Sequence, residues 1–124
     1  MVTLDTNAVI YYLKGDVAAT AVLEPIIRGY TPMFIATITE VELFSLPTIT
    51  AEESGRIELL LPLFSILALD SRMARKAAEL RRLYPKLKIA DSIVAAAALF
   101  THSTLLTRNV KDFKRISGLS VQSV

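Results

Sequence analysis

The 124-residue chain has no cysteine, a single histidine and four glycines. The absence of cysteine excludes a disulfide framework and any thiolate metal site, and it suits a reducing, cytoplasmic setting. The lone histidine, His102, argues against a zinc centre. It lies between Thr101 and Ser103 and reads as a solvated helix-end residue. Ser-His-Asp catalysis would need it beside a nucleophilic serine, and the chain has no nucleophile elbow. The glycines, at positions 15, 29, 55 and 118, are too scattered for a phosphate-binding or dinucleotide-binding loop. No apolar run approaches the roughly 20 residues that cross a bilayer. Leu59–Leu69 is interrupted by Pro62 and Ser65, and Ile93–Phe100 is shorter still. No basic segment leads into an apolar one near the start, so no signal peptide is expected. Repeats, low-complexity segments and linkers are also missing, which leaves one domain over residues 1–124 as the expectation.

What is present is largely apolar. Hydrophobic residues make up 52% of the chain, and mean hydropathy is +0.46. A chain of this size buries about two-thirds of the surface it exposes when unfolded. The apolar excess points to strands covered on both faces and to surface that a partner covers. The net charge of +2 conceals a division. Residues 1–71 carry three basic side chains against nine acidic ones, whereas residues 72–124 carry eleven basic against three acidic. A basic half is compatible with a polyanionic partner, and equally with solvated helix faces.

In chain order, Val2–Leu4 is a short β-favouring run ending at Asp5, and Thr6-Asn7 lead into a helical pattern to Leu13. Gly15 stops that helix and Asp16 caps the next, Val17–Arg28, whose stripe is Ala18, Ala19, Val22, Ile26 and Gly29, with Pro25 as a weak point. Met33–Ala36 is a second strand. Thr37 or Thr39 would cap a helix over Ile38–Leu46, closed by Pro47. Thr50 and Glu53 form a capping box for a helix to about Leu61. Phe64–Leu69 is a third strand. Asp70 caps an amphipathic helix over Ser71–Tyr84, with Met73, Ala77, Leu80 and Tyr84 inward. Ile89–Phe100 is an apolar helix, Ser103–Thr107 a fourth strand, Asn109–Ile116 a short helix and Leu119–Val121 an edge strand. Strands alternating with helices predict an α/β domain with a mainly parallel sheet covered on both faces.

Against this background four acids stand out. Asp5 follows a buried strand, where open α/β sheets place their ligands, although an Asp there also caps a helix. Asp91 lies in a helix apolar all round, where an unpaired carboxylate costs several kcal/mol unless a cation or a proton compensates it. Its place in the first turn also suits the helix dipole. Glu42 sits among Ile38, Val41 and Phe44, facing inward, while Glu40 points to another face. Asn109 and Asp112 share a face just past the fourth strand, as catalytic residues or as ordinary capping. Oxygen ligands without cysteine suit Mg²⁺ or Mn²⁺ rather than zinc.

Taken in order, Leu4-Asp5-Thr6-Asn7, Glu42-Leu43, Ala90-Asp91-Ser92-Ile93-Val94-Ala95-Ala96, Leu106-Thr107-Arg108-Asn109-Val110-Lys111-Asp112-Phe113 and Gly118-Leu119-Ser120-Val121 resemble a PIN domain. More narrowly, they resemble the VapC toxins of type II toxin–antitoxin pairs, over the whole chain. The resemblance implies a sheet in the order 3-2-1-4-5 flanked by helices, and a Mg²⁺- or Mn²⁺-dependent endoribonuclease cleaving structured RNA such as tRNA or rRNA. It makes Asp5 and Asp91 metal ligands, with Glu42 and Asp112 completing the pocket, Asn109 beside them, and Thr6 or Thr107 in support. It also implies a homodimer, and an antitoxin helix lying in a groove for which Tyr11, Tyr12, Leu13, Val22, Ile26, Phe44, Leu59 and Leu60 are candidates. One departure is Leu46-Pro47, where the family commonly has a glycine. The basic residues from Arg72 to Arg115, Arg108 among them, are candidates for the RNA rim; with only Tyr84 and Phe113 near them, no aromatic platform is expected. Two other readings remain open. A haloacid-dehalogenase-like phosphatase also begins with a strand ending in Asp, but wants an acid where Asn7 stands and a cap domain for which there is no room. A non-catalytic PIN-like binding module would keep the acids for structure alone.

Overall fold

A computed structural model describes residues 1–124. Five parallel strands form one sheet in the order β3-β2-β1-β4-β5, the order implied by the resemblance. The strands are β1 (Val2–Leu4), β2 (Met33–Ala36), β3 (Ser65–Leu67), β4 (Thr104–Thr107) and β5 (Val121–Ser123). The helices are α1 (Thr6–Leu13), α2 (Val17–Arg28), α3 (Thr37–Phe44), α4 (Ala51–Leu60), α5 (Ser71–Leu83), α6 (Ile89–Thr101) and α7 (Val110–Phe113). None of them is long and apolar enough to cross a membrane.

Strand periodicity divides the core into two layers. Val2, Leu4, Met33, Ile35 and Leu106 point to one face and pack with Ala8, Val9, Leu23, Leu43, Ile57 and Leu60 from α1 to α4. Ala36 and Leu105 point to the other and pack with α5, α6 and Phe113 of α7. On this second face every residue from Ser92 to Ala98 is buried. Alanine at Ala95–Ala98 lets the α6 backbone lie close to the sheet. A crossover helix runs antiparallel to the strands it joins, so the first turn of α6 lies at their carboxyl ends.

Several boundaries differ from the sequence reading. The β3 strand is confined to Ser65–Leu67 because its only partner is the short β2 edge, Phe34–Ala36. Helix α3 ends at Phe44, ahead of Pro47, which disfavours helical geometry at the residue before it. Its N-cap is Ala36, with no side-chain cap. Thr37 Oγ1 instead accepts the Leu69 N–H at 3.2 Å, and Thr39 is fully buried. In α2 the buried positions are Ala19 and Leu23, while Ala18 and Gly29 face solvent. Val41, read as inward, is 60% exposed. Helix α7 closes after Phe113. The last strand starts two residues later than expected, because Gly118 turns the chain at φ +81° and Val121 is the residue that meets Leu105. The Asp16, Thr50 and Asp70 caps all form through side-chain hydrogen bonds.

Phe113 is 0% exposed and ties α7 to the α6 layer. A Phe113→Ala variant is expected to lose about 3–5 kcal/mol in urea unfolding, whereas Leu59→Ala, at a position 80% exposed, should stay within about 0.5 kcal/mol of the parent.

Candidate active site

In the order 3-2-1-4-5, successive connections leave β1 toward β2 and later return to β4 on its other side. The crevice at the carboxyl ends of β1 and β4 is therefore the topological switch point, where α/β sheets bind ligands. Asp5 stands there directly. It is 6% exposed, and its backbone N–H reaches the Leu106 carbonyl at 3.3 Å, continuing the β1–β4 ladder. The capping reading of Asp5 holds: Oδ1 accepts the Ala8 N–H at 2.9 Å and caps α1, with the same carboxylate standing at the switch point. Oδ2 accepts the hydroxyl of Thr107, which is fully buried at the end of β4. The Thr107 hydroxyl in turn accepts the Asn109 N–H at 3.0 Å.

The other acids arrive from separate elements. Glu42, on α3, accepts the Thr6 hydroxyl at 2.6 Å, and Thr6 Oγ1 lies 3.2 Å from Thr39 Oγ1. Asp91 lies in the first turn of α6 and is half-buried. Asp112 is exposed on α7, where its Oδ2 accepts from Asn109 Nδ2 at 2.8 Å. The Asn109 side chain therefore makes no capping bond.

Charge links these positions. Burial raises the Asp5 carboxyl above its ordinary 3.8; hydrogen bonds from Thr107 and Ala8 hold it down, and the Glu42 charge pushes it up. Burial likewise raises Asp91 above 3.8, followed by repulsion from Asp5, an opposing pull from Lys88, and repulsion from Asp112 and Glu42. All four acids thus share one electrostatic environment. None of them forms an ion pair; the salt bridges are Arg28–Glu24, Lys76–Glu79 and Arg108–Asp16. The acids do not close into a cage, since no three carboxylates stand in metal-ligating geometry about one point. The chemistry of the set nevertheless suits a hard divalent cation, with oxygen donors only and no ion pair to any of the four acids, Lys88 alone opposing their mutual repulsion at Asp91.

Two features of the site have no local signal in the sequence. Thr39, buried against Thr6, is recognisable only once α3 is placed against α1. Arg108, read as a rim cation, instead pairs with Asp16 at 2.6 Å and covers the Tyr11 ring, so Tyr11 is engaged away from the expected groove. Between α1, α3 and α4 lies a small hollow lined by Ile10, Leu13, Leu43, Leu46, Ile49 and Ile57 together with Lys14, Glu53 and Arg56; of the expected groove residues it contains only Leu13. A neighbouring hollow is lined by Tyr12, Leu13, Leu59 and Leu60.

The PIN domain family model matches residues 2–119. Among solved structures, a chain of a toxin–antitoxin complex from Klebsiella pneumoniae is 31% identical, with a TM-score of 0.80 over 96% of this chain and 95% of that one. VapBC-1 from nontypeable Haemophilus influenzae gives 27% identity and a TM-score of 0.76 over 99% and 98%. VapBC2 from Rickettsia felis bound to a promoter DNA fragment gives 22% identity and a TM-score of 0.84 over 100% and 99%, a likeness of fold. No curated protein matches the chain. With the family model covering nearly every residue and the strand order in agreement, the chain belongs to the PIN-domain family.

Proposed function

We propose that this protein is a Mg²⁺- or Mn²⁺-dependent endoribonuclease and the toxin of a type II toxin–antitoxin pair, acting on structured RNA such as tRNA or rRNA in the cytoplasm. The observation that carries the reading is the mutual repulsion of Asp5, Glu42, Asp91 and Asp112 near the switch point, with no ion pair to any of them. Asp5 and Asp91 would hold the ion, with Glu42 and Asp112 completing the oxygen set. A divalent ion bound there supplies an activated water and offsets charge building on the attacked phosphate. The chain's own residues do the rest. Thr107 and the Ala8 N–H fix the Asp5 carboxylate, Thr6 orients Glu42, and Asn109 orients Asp112. Lys88, whose charge acts on Asp91, would be a candidate to meet a substrate phosphate. The hollow lined by Tyr12, Leu13, Leu59 and Leu60 is where an amphipathic antitoxin helix would dock. A homodimer agrees with the exposed apolar side chains Val41 and Leu59. The similar chains of a toxin–antitoxin complex and of VapBC-1 add support.

A phosphatase of the haloacid-dehalogenase kind has no support, since the family is PIN. The open arrangement of the carboxylates favours one second reading, a binding module without catalysis. In a test on a mixed tRNA and rRNA pool with Mn²⁺, the wild type should cleave. Asp5→Asn and Asp91→Asn should be slowed by about 100-fold or more, since even outer-shell changes at metal sites cost about 10–100-fold. Equal cleavage by all three proteins, or none by the wild type, rejects the nuclease.

Stability gives an independent readout. The folded Asp5 and Asp91 carboxyls titrate above 3.8, so the metal-free fold holds its protons more tightly than the unfolded chain does. The resulting destabilisation is absent below pH 3.8, grows as pH rises through the folded pKa, and persists above it. Asp91→Asn should therefore raise Tm of the metal-free protein at pH 7, with the gap closing in acid. Added Mn²⁺ should raise Tm of the wild type and not of Asp91→Asn. A variant that melts below the wild type at pH 7, or a wild type indifferent to Mn²⁺, contradicts this.

A further inference from the structure

We propose that Arg108 is a positioning residue, a clamp that locks the β4–α7 loop against α1 and α2 and so sets the geometry of Asp5 and Asp112. Its effect on metal affinity rests on the nuclease reading above, whereas its effect on the loop does not. The guanidinium makes three hydrogen bonds and stacks on one ring. Nε donates to the Val124 carbonyl at 2.8 Å. Nη2 and Nη1 donate to the two carboxylate oxygens of Asp16 at 2.6 and 3.3 Å. Its central carbon lies 3.9 Å from the Tyr11 ring centroid. These partners come from α1, the α2 cap and the residue after β5, three parts of the fold that no other side chain joins to this loop by hydrogen bonds or ion pairs.

The partners are themselves fixed. Asp16 Oδ2 also accepts the Ala19 N–H at 3.0 Å as the cap of α2, and its carboxyl is held below 3.8, first by the hydrogen bond from Arg108. Tyr11 lies on the helix that Asp5 caps. The Val124 side chain is 5% exposed and packs in the α1–α4 layer. On the other side of Arg108 the bonds run straight to the site. Thr107, the preceding residue, donates to Asp5 and accepts from the Asn109 N–H. Asn109, the following residue, donates to Asp112. Two acids at the carboxyl end of the sheet are thus held by residues flanking one arginine.

This assignment gives Arg108 a role other than the RNA rim, because its charge is already matched by Asp16. It also makes lysine a poor replacement, since an ammonium offers neither the planar two-pronged fork nor the face that stacks on Tyr11. A phosphate contact would tolerate lysine; a clamp would not.

The test uses the full chain as wild type, Arg108→Ala, Arg108→Lys and Asp16→Asn, the last keeping a competent helix cap. Amide hydrogen exchange of the metal-free proteins is read at Asn109 and at Leu105, whose N–H bonds to Ser120 within the β4–β5 pair. Mn²⁺ affinity is measured by titration on the same samples. All three variants should speed Asn109 exchange about tenfold, leave Leu105 protected, and weaken Mn²⁺ binding about tenfold, the lower end for groups that orient ligands. Unchanged Asn109 exchange in Arg108→Ala and Asp16→Asn overturns the clamp. So does faster exchange at Asn109 and Leu105 together, which marks general loosening, and so does full rescue by lysine. A wild type that fails to bind Mn²⁺ removes the metal reading, and the exchange data then decide the clamp alone.

Discussion

Much of this molecule follows from placing the Asp5 carboxylate, almost shielded from water, where the central strand gives way to a helix. A buried charge needs donors, and two arrive from opposite directions in the sequence. The Ala8 N–H comes from the helix that Asp5 itself starts, and the Thr107 hydroxyl from the far end of the chain. The first bond fixes where α1 begins. The second fixes how β4 ends beside β1, in line with the strand register that pairs Leu4 with Leu106. Even so, burial outweighs these donors and the carboxyl stays raised. The fold thus carries a local excess of negative potential at the carboxyl end of β1.

The packing around α6 serves the same end. A helix of alanines lies nearer a sheet than one of leucines, and the buried run from Ser92 to Ala98 lets α6 cross the sheet with its first turn at the strands' carboxyl ends. Asp91 is the polar exception at the edge of that run, carried toward Asp5 by a helix otherwise devoted to the core. Glu42 and Asp112 reach the field from shorter helices at the sheet's rim. They are the more solvated members, and each is oriented by a neighbouring side chain rather than by burial.

Local chemistry made the architecture readable from the residues. The Asp16, Thr50 and Asp70 caps, the Gly15 stop and the apolar runs were all visible because each depends on contacts within a few positions. Ends set by distant partners were not: β3 is cut short by β2, and β5 begins where β4 offers Leu105. Asp5 and Asp91 drew attention because an acid in an apolar run is costly wherever it folds. Their shared field depends on contacts across 86 positions and more, which the family resemblance supplied and periodicity did not. Arg108 shows the reverse error. On a basic stretch it looked like a phosphate contact, and only Asp16, 92 positions away, reveals that its charge is already matched.

The parallel pairing of Thr3 with Leu105 has a consequence for the order of events at the ribosome. The middle strand of the sheet is made well before β4, one of its two neighbours. Pairings this remote in sequence form late. A growing polypeptide can set β2 beside β1, but until β4 emerges the first carboxylate lacks its threonine and the last acid does not exist. The colinear order of translation therefore leaves Asp5 without the Thr107 hydroxyl, and the cluster without Asp112, until β4 and α7 have been made.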